Sequence, residues 1–331
     1  MAGLAVLAAL AAACQRQERP SVSPALSLRQ VSGWGAATGR VAGVVPVGGL
    51  GRPIFLLNET APARAVRVVI GLRHPQDFRW SEGPVLWAVR SGRDGFWAVT
   101  GGPVGFRLCR WAAGAQRAAY SLGEHYAHPP GGLAVLRGRP WVATYARGNW
   151  ALSRAAGSGL QRHPFPAAWR AGTTDILGPV TVGDRVYLAQ QPFLPGSSAF
   201  LDWYWPGSHR FGRTAMPAGW FPVGLSAVAG RALILLQKRQ APGGYQVVLL
   251  RRHRPLVFRG LAPVAGHLYG GLPGPAGQVL LTAGRAGQSR VLAVTPRGMR
   301  QSGPVRGGLA LFETEQGIMA AGDAGVYALG S

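Results

Sequence analysis

The stretch Leu133-Ala134-Val135-Leu136-Arg137-Gly138-Arg139-Pro140-Trp141-Val142-Ala143-Thr144 decides the fold. It reads as a short apolar strand, a glycine-bearing turn and a second apolar strand. A third apolar run, Trp150-Ala151-Leu152, follows within a dozen residues. The same unit recurs along the chain, with turn glycines at Gly51, Gly95, Gly138, Gly183, Gly230, Gly277 and Gly317. The spacings are 44, 43, 45, 47, 47 and 40 residues. Strand-like repeats at this period predict a β-propeller with one four-stranded blade per repeat.

The run after each glycine is nearly all apolar, as in Leu233-Ile234-Leu235-Leu236 and Val279-Leu280-Leu281-Thr282. Such runs suit strands buried on both faces. The seventh repeat ends after its third strand, at Ser331. Leu26-Ser27-Leu28-Arg29-Gln30-Val31 is a spare strand that can fill the vacancy and close the ring without an open edge. The expected fold is therefore an all-β, seven-bladed propeller closed by its N-terminal strand. Six or eight blades stay open on spacing alone, because the first repeat is the least regular.

The chain has 331 residues, of which 50 are Gly and 26 Pro, so long helices are disfavoured. Lys and Arg total 35 against 12 Asp and Glu, a net charge of +23, and the single lysine is Lys238. A GC-rich genome would give this arginine bias without selection, but the field attracts anionic surfaces whatever its origin.

Residues 3 to 13 form an apolar, alanine-rich run ending at Cys14. Leu10-Ala11-Ala12-Ala13-Cys14 resembles the lipobox of bacterial lipoproteins. The resemblance implies a signal peptide over 1–13, cleavage before Cys14 and acylation of its thiol. Residues 14–25 then read as the lipidated cysteine and a polar, proline-bearing tether, and 26–331 as one propeller domain. Cys109 is left without a partner in an apolar strand and is expected to be a buried, inert thiol. The ending Gly322-Asp323-Ala324-Gly325-Val326-Tyr327-Ala328-Leu329 resembles one repeat of the PQQ-like propellers. It covers a single repeat, so no quinone site is carried over and no cofactor is expected.

Up-and-down strands sort the loops onto two faces. First-to-second and third-to-fourth turns share one, which collects Arg52, Arg139, Arg185, Arg231, Arg251, Arg252 and Arg254. The N-terminal strand enters from this side, so this face is expected to lie on the membrane that holds the lipid. The opposite face collects His74, Trp80, His125, Tyr126, His128, Trp169, Arg170, Trp220, Phe221 and His267. Aromatic and histidine side chains on loops above a rigid ring suit recognition of an envelope protein or polymer.

Glu124-His125-Tyr126-Ala127-His128 offers two histidines and a carboxylate, too loosely spaced for a zinc site, and no metal is expected. The first strands, which line the channel, are poor in carboxylates, with Glu313 and Glu315 as the nearest exceptions. Paired acid–base catalysis is thus poorly supported, and no nucleophile elbow or phosphate loop is present. Nucleic acid is disfavoured by the export signal. The favoured role is a non-catalytic binding or scaffolding module. The alternatives are a propeller hydrolase or lyase acting on an envelope polymer or sugar, and an electrostatic binder of acidic polymers.

Overall fold

The computed structural model describes residues 26–34, 41–47, 52–59, 66–72, 76–80, 83–93, 95–102, 105–112, 114–123, 129–146, 148–169, 173–192, 198–228, 230–238, 244–251, 254–261, 267–274, 278–285, 287–295, 298–315 and 317–330. The chain is a seven-bladed β-propeller. From the axis outward, blade one is β2 (Val41–Val47), β3 (Ile54–Glu59), β4 (Val66–Ile70) and β5 (Gln76–Trp80). Blade two is β6 (Val85–Arg90), β7 (Gly95–Gly102), β8 (Gly105–Ala112) and β9 (Ala115–Gly123). Blade three is β10 (Leu133–Leu136), β11 (Arg139–Ala146), β12 (Asn149–Ala156) and β13 (Gly159–Pro164). Blade four is β14 (Thr173–Val182), β15 (Arg185–Pro192), β16 (Phe200–Trp205) and β17 (Arg210–Ala215). Blade five is β18 (Trp220–Val228), β19 (Arg231–Lys238), β20 (Tyr245–Arg251) and β21 (Arg254–Leu261).

Blade six is β22 (His267–Pro273), β23 (Val279–Arg285), β24 (Gln288–Thr295) and β25 (Gly298–Gln301). A short β26 (Val305–Arg306) pairs with the start of β24. Blade seven is β27 (Leu309–Thr314), β28 (Gly317–Gly322), β29 (Gly325–Gly330) and, outermost, β1 (Ser27–Ser32). The first strands neighbour one another all the way round, and β27 meets β2 to complete the circle.

The sequence explains the packing. Alternate side chains of each second strand enter opposite inter-blade seams. In β3, Ile54 and Leu56 join blade two's core while Phe55 and Leu57 join blade seven's. In β19, Leu233 and Leu235 face blade six, and Ala232, Ile234 and Leu236 face blade four. Both faces are dry, so the runs are continuously apolar rather than alternating. Each buried Leu or Ile contributes about 1.5–3 kcal/mol by leaving water.

Closure follows the expected route. β1 lies antiparallel on β29, pairing Ser27 with Gly330 and Leu28 with Leu329. The Trp34 indole donates to the Gly322 carbonyl at 2.9 Å, and its ring packs on Phe55 of blade one at 5.0 Å. Gly325 is required here. Its φ is +149°, and a Cβ would collide with the Ser32 carbonyl of the closing strand. Cys109 is buried in the seam between blades one and two and makes no disulfide.

Candidate functional site

Blade topology fixes the two faces. First and third strands end on the lower face, so Ser27, paired with Gly330, starts there too. Arg52 and Arg139 are exposed on this face, and Arg231 is half-buried. Arg185 is clamped, with its guanidinium 4.6 Å from the Trp203 ring and 5.8 Å from Trp205. Arg251 and Arg254 pair across the β20–β21 hairpin on the same face, while Arg252 lies outside the described residues. Arg90 belongs to a different category. It donates to the carbonyls of Arg93 and Arg52, both at 2.6 Å, and so ties the lower turns of blades one and two together.

The upper face is more mixed. Trp169 is half-buried, packed edge-on against Phe165 and Phe211. The Arg213 guanidinium sits between Trp169 and Phe200, 4.2 Å from each ring centroid. Asp202, fully buried, accepts from Arg213 Nε at 2.8 Å. Burial pushes the Asp202 carboxyl up to about 6, against the opposing pull of Arg213. Trp220 and Phe221 are half-buried at the start of β18, Trp220 leaning on the core between blades four and five. His267 opens β22, its backbone paired with Gly284.

Trp80 does not belong to the loop face. It is buried between blades one and two, donates to Gln116 Oε1 at 2.7 Å and packs against Phe96. A tryptophan at a strand end with a seam to fill goes inward. His74, His125, Tyr126, His128 and Arg170 lie outside the described residues.

In the channel, the described first strands carry two carboxylates, Asp175 near the start of β14 and Glu313 near the end of β27. They therefore sit at opposite ends of the channel and do not form an acid–base pair. Among the described residues no three His, Cys, Asp or Glu gather as metal ligands. Trp87 is exposed on the first strand of blade two, its indole donating to the Pro130 carbonyl at 3.0 Å.

A concave site unforeseen as a unit opens on the lower face between blades three and four. It holds about 350 Å³ and is lined by Leu136, Arg137, Arg139, Trp141, Arg154, Asp184, Pro206 and Gly207. Arg154 Nε donates to Gln161 Oε1 at 2.8 Å, and the guanidinium lies 5.5 Å from the Trp141 ring. The Arg137 and Arg139 guanidinium groups make no hydrogen bond or ion pair with any described residue. Behind this wall, the Tyr204 hydroxyl lies 2.9 Å from His163 Nδ1 and 3.1 Å from His209 Nδ1. Burial, then the positive charge of Arg154 and the neighbouring His209, pull the His163 imidazole below its usual value.

The backbone is strained at the same place. Leu136 pairs with Arg139, leaving a two-residue turn with φ +51° at Arg137 and +74° at Gly138. That mirror-image turn favours Asn-Gly, and an arginine there costs about 1 kcal/mol or more relative to glycine. His209, in the turn that carries Pro206 and Gly207, has φ +54°. These are the two non-glycine residues with positive φ among the described residues; Arg137 lines the pocket, and His209 lies in the turn that supplies Pro206 and Gly207 to it.

No protein-family model matches the chain, and no curated protein matches it in sequence. Solved structures do match. Virginiamycin B lyase from Staphylococcus aureus aligns with a TM-score of 0.62 at 13% identity, over 92% of this chain and 99% of that one. A protein from Bacteroides uniformis assigned as a 6-phosphogluconolactonase aligns at 0.57 and 13%, over 88% and 92%. TolB from Acinetobacter baumannii aligns at 0.52 and 12%, over 80% and 66%. At such identities these likenesses establish the propeller and nothing about chemistry.

Proposed function

We propose that this chain is an exported, lipid-anchored component of a bacterial cell envelope, acting as a non-catalytic binding or scaffolding module. Its arginine face would rest on an anionic membrane surface, and its upper face, with Trp169, Trp220 and Phe221, would meet an envelope protein or polymer. One observation supports this reading: β1 begins on the arginine face, the side from which an anchored chain would enter the propeller. An arginine close to an anionic surface contributes about 1 kcal/mol, diminished by salt, and a single-chain lipid anchor is strengthened by such a second attachment. The separation of Asp175 from Glu313 along the channel speaks against a hydrolase built on paired carboxylates.

Fractionation of cells producing Cys14→Ala tests the anchor. The variant is expected in the soluble fraction and the natural chain in the membrane fraction. An unchanged membrane fraction would remove the lipid from the proposal.

A further inference from the structure

We propose that the pocket between blades three and four is a binding site for a phosphate monoester carried on a small polyol. The pocket presents three guanidinium groups, Arg137, Arg139 and Arg154, and one carboxylate, Asp184. Its net charge of two positive matches the roughly −1.5 to −2 of a phosphate monoester at neutral pH, whereas a carboxylate would neutralise half of it. Guanidinium forks fit phosphate oxygens in pairs. Arg154 is already aimed by Gln161 and Trp141, so little freedom is lost when it binds. Arg137 and Arg139 have donors to spare on the same blade-three side of the pocket.

Asp184 supplies an acceptor for a hydroxyl on the ligand's body, and Leu136 and Pro206 give that body an apolar wall. A cavity of about 350 Å³ is roomier than a bare phosphate needs and lies within the small-ligand range. The strained turn points the same way. Glycine would suit position 137 better for folding, so an arginine held there is a group kept for its charge. Tyr204, braced by His163 and His209, stiffens the blade-four side next to the turn that carries Pro206 and Gly207.

Titration calorimetry with glycerol 3-phosphate tests the assignment on the intact chain. One saturable site is expected. Arg137→Gly should weaken it about tenfold while raising the melting temperature, because one charge-assisted contact goes and the turn relaxes. Arg139→Gln should weaken it similarly. Arg306→Gln removes the same charge from exposed β26 in blade six and should leave affinity unchanged. Vesicles containing phosphatidic acid form a second arm. Binding there that Arg137→Gly abolishes, without binding of the soluble ester, assigns the same site to a lipid headgroup.

Failure of both arms overturns the proposal. So does equal weakening by Arg306→Gln, which would mean a diffuse field, or equal affinity for glycerate, which would mean a carboxylate site. The assignment does not rest on the anchor. Cys14→Ala could stay in the membrane fraction and the pocket would still bind.

Discussion

Replacing Asp202 by Asn should change how stability depends on pH, by an amount the structure fixes. The carboxylate is fully buried and bonded to Arg213 Nε at 2.8 Å and Nη2 at 3.3 Å. Burial outweighs these bonds, so the native chain keeps its proton up to about 6, against an ordinary value of 3.8. Between those values the native state binds more protons than the unfolded state, and stability falls as pH rises. The gap of about two pH units corresponds to about 3 kcal/mol at 1.36 kcal/mol each. His163 acts in the opposite sense: its lowered value means that the unfolded chain takes up a proton first, so stability drops as pH falls. The natural profile therefore mixes the two, and the difference between natural chain and Asp202→Asn isolates the carboxyl. Urea unfolding followed by tryptophan fluorescence at intervals from pH 4 to pH 7.5 measures it. The stability advantage of the natural chain over the variant should shrink by about 2 kcal/mol from pH 4 to pH 6 and then level off, because the unfolded carboxyl is already more than half ionised at pH 4. A difference that stays constant across the range would refute the reasoning and place Asp202 in a solvated, fully ionised pair.

Leu235→Ala, in the dry seam between blades five and six, should cost about 2–5 kcal/mol in the same unfolding assay, the range for a cavity in a core that cannot collapse. Gly325→Ala should weaken ring closure by about 1–3 kcal/mol, read as a lower melting temperature and faster proteolysis at the N-terminal strand, because its Cβ meets the Ser32 carbonyl. The Cys109 thiol, buried in β8, should resist aromatic disulfide reagents in the native protein and react fully once urea unfolds it. Prompt native labelling would show that the seam between blades one and two opens.

The period and the doubly buried second strands were legible because each is a one-dimensional pattern. Leu233-Ile234-Leu235-Leu236 has no polar face, so it had to lie between two apolar neighbours. The closing strand was legible from arithmetic, as a strand without a blade beside a blade without a strand. The candidate site was legible only as a direction: the arginines of the lower turns could be sorted to one face. Their grouping could not. Tyr204 reaches His163 41 residues away, and the Trp87 indole reaches Pro130 43 residues away. Contacts thus recur one blade apart, but side-chain azimuth decides which of them form. Trp80 shows the limit, since strand position put it at the rim while its indole turned inward to Gln116. Arg137-Gly138-Arg139 was the available signal for the pocket: two cations flanking a glycine in a two-residue turn.

The pairing of Leu28 with Leu329 also sets an order of events for synthesis. Strand β1 waits for β29, about 300 residues later, and until then it has no partner. Six complete blades can dock beforehand, so assembly ends in a single late stitch. A circular permutant that joins the natural ends and opens between two blades would make every blade from contiguous chain and remove that wait.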